Sequence, residues 1–317
     1  MIELKRQLDE AGVMGVNRRN AEYTLKYNSR DHYPLVDDKL QTKKLALKAA
    51  IAVPELYGVL QTEYEVRNLG RIIQSIPDFV IKPARGSGGN GIVVVSGRTK
   101  ELFRKSDGVL MNMDEVKYHL FNVISGLYSL GGQPDKALIE YRVQFDPVFE
   151  NISYQGVPDI RVIVFLGVPV MSMVRLPTRM SGGKANLHQG AIGAGIDIAS
   201  GKTLTAVWKD NIVSEHPDTG NPVSGVKIPN WETLLKIAAR CNALTGLGYI
   251  GVDLVLDKAK GPLILEMNAR PGLNIQIANR AGLLPRLKLV ERHKRDLLTI
   301  EDCIAFSRQH FGASFFP

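Results

Sequence analysis

Cysteine is scarce in this chain. Of its 317 residues only Cys241 and Cys303 are cysteines, and they stand far apart, outside any CxxC pair. A disulfide framework, a zinc knuckle and a dithiol redox motif are excluded, and both residues are expected as buried thiols. Long apolar runs are missing too. The longest charge-free apolar stretch, Val162 to Val174, is interrupted by Gly167, Pro169 and Ser172, so no membrane-spanning helix is expected. The segment Met1 to Glu10 is rich in charge and lacks the apolar centre of a secretory signal, which points to the cytoplasm. No internal repeat and no low-complexity tract is visible.

Familiar phosphate motifs are incomplete. Ser200-Gly201-Lys202-Thr203 would need glycine at position 196 to form a Walker A loop, and Ile196 stands there. The HRD and DFG motifs of protein kinases do not occur. Tyr23, Tyr27 and Tyr33 lie among arginines, but no RNA-binding motif accompanies them, so nucleic acid is not an expected partner.

What is present describes a soluble globular protein. Hydrophobic residues make up 44% and charged residues 23%, enough for a large core and, at this length, two lobes with a ligand cleft between them. Lys and Arg number 40 against 32 Asp and Glu, a net charge of +8, which suits polyanionic partners such as nucleotide phosphates. Patterning predicts an α+β chain. Helices are expected over 2–11 (closed by Gly12), 38–50 (N-capped by Asp38), 64–75, 114–130 and 231–245. Strands are expected at Phe79–Lys82, Gly91–Val95, 137–143, 159–166 and 169–176, with a glycine-rich loop over 178–196 and a hairpin over 249–268. The basic run Arg286 to Arg295 reads as a solvated helix face.

Gly86-Ser87-Gly88-Gly89-Asn90-Gly91 satisfies GxGxxG, a weak signal alone. A Rossmann fingerprint leads into a helix, whereas the β-branched Ile92-Val93-Val94-Val95 reads as a strand, so this loop closes a hairpin. Backbone N–H groups of such a loop can approach polyphosphate without side chains in the way, and Lys82 on the incoming strand would add a point charge. A tight connection without a ligand explains the loop equally well. Further on, Tyr249–Leu256 and Pro262–Asn268 alternate as two strands. A turn centred between Ala259 and Lys260 sets Asp253 opposite Glu266 and puts Asn268 on the same face, opposite Leu254, Leu265 and Met267. Facing carboxylates repel unless a cation lies between them, and oxygen-only ligands suit Mg²⁺. The competing reading is a surface hairpin with solvated acids.

Taken in order, Val80-Ile81-Lys82-Pro83, the glycine hairpin, Asp159-Ile160-Arg161, Asn186-Leu187-His188-Gln189-Gly190 and Glu266-Met267-Asn268-Ala269-Arg270-Pro271-Gly272 resemble the ATP-grasp superfamily. Within it, they resemble the alpha-L-glutamate ligase-like group related to the ribosomal-protein glutamate ligase RimK. The resemblance covers residues 38 to about 285. It implies an ATP-grasp fold of two α+β lobes gripping ATP, with residues 1–38 as a short segment in place of a full Rossmann-like domain, 39–140 as the glycine-hairpin lobe and 141–317 as the metal-hairpin lobe. It implies that Lys39, Lys82, Gly88, Gly89, Lys184 and Asn186 meet phosphates, that the backbone at Glu140-Tyr141 reads adenine, and that Asp159 meets the ribose. Asp253, Glu266 and Asn268 would hold Mg²⁺, or Mn²⁺ in its place, while Arg175 and Arg270 would act on the transferred phosphoryl group.

The expected activity is therefore ATP-dependent ligation of a carboxylate to an amine through an acylphosphate, with glutamate or a similar amino acid as one substrate. The acceptor, whether small molecule, peptide or protein, and any homo-oligomer are left open. Residues 178–196, with five glycines, are the expected lid. An ATP-grasp kinase and a non-catalytic nucleotide-binding protein are the rivals.

Overall fold

A computed structural model describes residues 2–86, 88–99, 102–209 and 211–312; Ser87 of the glycine loop lies outside the described residues. Two antiparallel sheets organise the chain. The first contains β1 (Leu56–Leu60), β2 (Phe79–Pro83), β3 (Val93–Thr99), β4 (Leu102–Lys105), β5 (Leu110–Met111) and β6 (Ala137–Glu140), in the order β1-β6-β2-β3-β4-β5. The second contains β7 (Asp159–Phe165), β8 (Val168–Leu176), β9 (Ile192–Ile196), β10 (Thr203–Trp208), β11 (Asn211–Val213), β12 (Tyr249–Asp257) and β13 (Gly261–Asn268), in the order β11-β10-β9-β8-β7-β12-β13.

Each sheet has its own core. Phe79, Ile81, Val95 and Phe103 of the first pack with Val116, Leu120 and Val123, which recur on one face of the helix Met113–Ile124. Asn112 and Glu115 close that helix with a capping box. In the larger lobe, Leu234, Leu235, Ala238 and Cys241 of the helix Trp231–Thr245 join Ile160, Val162 and Val164 of β7 and Val252 and Leu254 of β12. Both cysteines are free and buried. No helix among the described residues is long and apolar enough to cross a membrane.

Residues 2–38 form short helical pieces that join the larger lobe. Met14, Tyr23 and Val36 belong to its core, and the Tyr23 ring meets Phe165 edge-on, 5.5 Å between centroids. Tyr23, one of the arginine-flanked tyrosines, is thus a core residue.

Several expected elements change on folding. The helix expected over 64–75 is two short pieces, Glu63–Val66 and Leu69–Ile72. The one expected to reach residue 130 stops at Ile124, and a Cβ at Gly126 would stand 2.2 Å from the Gln133 carbonyl oxygen, so the chain turns there through a glycine. Ile192–Ile196, expected as loop, is a buried strand. Its glycines serve close approach: a Cβ on Gly195 would lie 2.8 Å from the Ala278 carbonyl oxygen of the short helix Ile275–Asn279. Arg286 is not solvated but buried, donating to the Val170 carbonyl at 2.8 Å.

Candidate functional site

The helix Lys39–Lys48 starts where expected, its N-cap Asp38 accepting from the backbone N–H of Leu40 and Gln41. Lys39 and Lys43 lie one turn apart on its inward face, and both are buried. In the first sheet Lys82 pairs with Leu138 and Val80 with Glu140, so these four side chains share one face. The consequence is a buried Lys–Glu–Lys cluster. Lys43 Nζ stands 2.7 Å from Glu140 Oε2 and also donates to the Pro54 carbonyl at 2.6 Å. Lys82 pairs with Glu140 Oε1. Lys39 donates to the Gly86 carbonyl at 2.6 Å and lies 3.8 Å from Glu266 Oε1. Burial pulls the Lys43 ammonium down to about 8, with Glu140 opposing and Lys82 adding to the shift. Sequence reading missed Lys43; its spacing of four from Lys39 was the available signal.

The glycine loop joins β2 to β3 as a hairpin. Gly88, Gly89 and Gly91 take φ values of 65°, 79° and 74°, a region open to glycine. The loop after β8 reaches this hairpin from the other lobe: Asn186 and Gln189 each donate to the Gly88 carbonyl at 3.2 Å. Lys184 lines a cavity of about 410 Å³ with Gly89, Asn90, Gly91 and Tyr128. His188 is exposed, its backbone N–H held by Asn186. The Tyr141 N–H, expected to face adenine, donates instead to the Glu55 carbonyl at 2.8 Å, because β1 covers that edge of β6.

Across the cleft, Asp253 pairs with Glu266 and Gly251 with Asn268. The pairing expected from the sequence is reached by a different route. The turn is one residue tighter, Asp257 pairing with Gly261, and a bulge opposite Asp253 and Leu254 restores the register. Leu265, expected beside Leu254 and Met267, sits on the other face with Val255 and Leu263.

Asp253 does not stand open to solvent. Arg161 clamps both of its oxygens at 2.7 and 2.6 Å, and Arg175 adds a third contact at 2.8 Å. Arg175 also binds both oxygens of Asp159, so Asp159 faces a guanidinium rather than an open ribose position. Burial pushes the Asp159 carboxyl up to about 6, Arg175 opposing and Asp253 adding. Burial acts the same way on Asp253, but Arg161 and Arg175 outweigh it and hold that carboxyl down.

The remaining residues lie nearer the surface. Asn268 accepts from the Arg270 N–H at 2.8 Å. The Arg270 side chain leans on the N-terminal segment, 3.6 Å from Asp37 and over the Tyr33 ring at 5.2 Å. Among the described residues no three His, Cys, Asp or Glu side chains cluster for a metal. Glu266 and Asn268 nevertheless fit an oxygen-seeking cation: they lie two apart on β13, and both are partly exposed. Asp253 fits as a third donor only through the lone pair its three N–H contacts leave on Oδ1.

Two antiparallel lobes, a glycine hairpin with buried lysines on one and an acidic hairpin on the other, define the ATP-grasp architecture. The chain matches the sugar-transfer associated ATP-grasp family over residues 18–292 and belongs to that family. Among solved structures, the ATP-grasp ligase PsnB complexed with minimal precursor is 14% identical with a TM-score of 0.44; the match covers 88% of this chain and 62% of that one. D-alanine–D-alanine ligase from Bacillus anthracis is 16% identical with a TM-score of 0.44, covering 88% of this chain and 68% of that one. Biotin carboxylase from Campylobacter jejuni is 16% identical with a TM-score of 0.49, covering 82% and 47%. The chain therefore spans about three fifths of the PsnB structure and just under half of the carboxylase. No curated protein matches it.

Proposed function

We propose that the chain is an ATP-dependent carboxylate–amine ligase. The observation that carries this reading is a surplus of buried positive charge: Lys43 and Lys82 share one buried carboxylate, Glu140, while buried Lys39 holds the Gly86 carbonyl of the glycine hairpin with only the partly exposed Glu266 near it, at 3.8 Å. A polyphosphate supplies the missing negative charge, and the backbone of Gly88 and Gly89 can approach it closely. Lys184 and Asn186 reach the same hairpin from the other lobe. Adenine would lie against Val80 and Leu138 near Glu140-Tyr141. Glu266 and Asn268, with Asp253, would hold Mg²⁺ or Mn²⁺, whose chemistry when bound is to neutralise phosphate charge.

In this reading a substrate carboxylate attacks the terminal phosphorus of ATP and ADP leaves. An amine then attacks the acylphosphate carbonyl and phosphate departs, leaving an amide. Arg175, locked by Asp159 and Asp253, would present a fixed cation to the transferred group. The loop carrying Asn186 and Gln189 would exclude water. Arg270, turned toward Asp37, would have to swing inward to take part. The RimK-like resemblance favours glutamate or a related amino acid as substrate. The family's association with sugar transfer widens the acceptors worth screening to amino sugars and uronic acids.

The test is release of ADP and phosphate across amino acids, peptides, amino sugars and uronic acids, with mass spectrometry of the products. With a substrate that drives turnover, hydroxylamine should trap the acylphosphate as a hydroxamate. A stable phosphate ester without hydroxamate would sink the ligase in favour of a kinase.

A further inference from the structure

We propose that Lys43 is a positioning residue of the nucleotide site: by neutralising Glu140 it leaves the charge of Lys82 available to phosphate. This deepens the ATP reading above and rests on it. Side-chain exposure falls from 10% at Lys39 to 7% at Lys82 and 4% at Lys43. The deepest of the three is also tied back to the Pro54 carbonyl, away from the hairpin. Lys39 reaches the Gly86 carbonyl of the hairpin, whereas Lys43 contacts Glu140 and the Pro54 carbonyl.

The argument is one of charge count. Glu140 offers two oxygens, and a different lysine holds each. With Lys43 in place, Glu140 is already compensated and Lys82 is a net cation. Without it, Glu140 and Lys82 become a closed one-to-one pair in a low-dielectric setting, and phosphate must compete with a carboxylate for the same ammonium. Lys43 stands at this buried position although burial disfavours its charge, whereas an apolar side chain would carry no such penalty.

Calorimetry on the full chain with Mg²⁺ tests this, using AMP-PNP and adenosine as probes. Lys43→Met should weaken AMP-PNP binding about 10- to 100-fold, the scale of one charge-assisted contact, and leave adenosine nearly unchanged. Adding Glu140→Gln to that variant removes the competing carboxylate, and AMP-PNP affinity should return to within a few-fold of wild type. A purely structural Lys43 predicts no such recovery, so equal losses for both probes, or losses that simply add in the double variant, overturn the assignment. Should Lys43→Met fail to fold, Glu140→Gln alone decides: it should tighten AMP-PNP but not adenosine, and weaker AMP-PNP binding counts against the proposal. A wild type that binds neither probe removes the ATP reading and this assignment together; wild-type binding with unaltered Lys43→Met affinity removes this assignment alone.

Discussion

The two walls of the cleft handle buried charge in opposite ways. On the wall beside the glycine hairpin, Lys43 and Lys82 share one carboxylate, Glu140, and Lys39 adds a third cation, 3.8 Å from Glu266. On the large lobe, Arg161 and Arg175 meet Asp159 and Asp253, two charges of each sign. Burying an uncompensated charge is costly, so the balanced wall is complete without a ligand. The lysine wall carries three ammonium groups against one buried carboxylate, Glu140, and the partly exposed Glu266. In this arrangement the arginines and aspartates orient one another.

Upsetting the balanced wall should have the largest effect. Asp253→Asn leaves Arg161 and Arg175 with only Asp159 between them, and loss of one partner from a buried pair typically costs about 3–5 kcal/mol. Chemical denaturation should report a drop of that order, and an unchanged midpoint would mean the aspartate–arginine cluster is not integral to the fold.

Removing a cation from the lysine wall should instead spare the fold and hurt the ligand. Lys82→Ala is expected to weaken AMP-PNP by about 10- to 100-fold, as is typical for a charged contact, with little change in melting temperature. If stability fell and affinity held, the two walls would not differ as described.

A smaller effect sharpens the same contrast through pH. The Lys43 ammonium is pushed down to about 8 by burial, from an ordinary value of 10.5. Between those values the unfolded chain binds more protons than the folded one, so stability rises with pH. Measured as the difference between wild type and Lys43→Met, it should climb from about pH 8 to about pH 10.5, by on the order of 1 to 3 kcal/mol. A flat difference would show that Lys43 is better hydrated than the structure places it.

The smallest effect concerns the contact between the walls. Asn186 and Gln189 both reach the Gly88 carbonyl through partly exposed bonds, each worth about 0.5–1.5 kcal/mol at most. Gln189→Ala should leave melting temperature unchanged while speeding hydrogen exchange in the glycine hairpin. Exchange as slow as in the wild type would mean the loop does not hold the hairpin.

Much of this site could be read from residue order, though not always for the right reason. Asp253 does face Glu266, but through a tighter turn and a compensating bulge at Leu265, two local differences that cancel at the acids. The glycine-rich pattern over 178–196 reads as loop; Gly195 of β9 instead serves the approach of the helix Ile275–Asn279, a tertiary requirement. Tyr23 could not be told from a surface aromatic until Phe165 and Tyr249, distant in the chain, closed around it.

The sequence by itself determined the local features around the site: the Asp38 cap, the alternating strands around Lys82 and Asp253, and the glycines at 88, 89 and 91. Those preferences are set by energies acting within a few residues, so they are legible in a linear chain. Only the tertiary structure decided which charges pair. Arg161 and Asp253 are separated by 92 positions, and Lys43 and Glu140 lie on a helix and a strand far apart in the chain. A buried ion's free energy depends on the few ångströms around it, which no local pattern encodes, so the split between a self-balanced wall and a surplus one emerges only when the two lobes are folded.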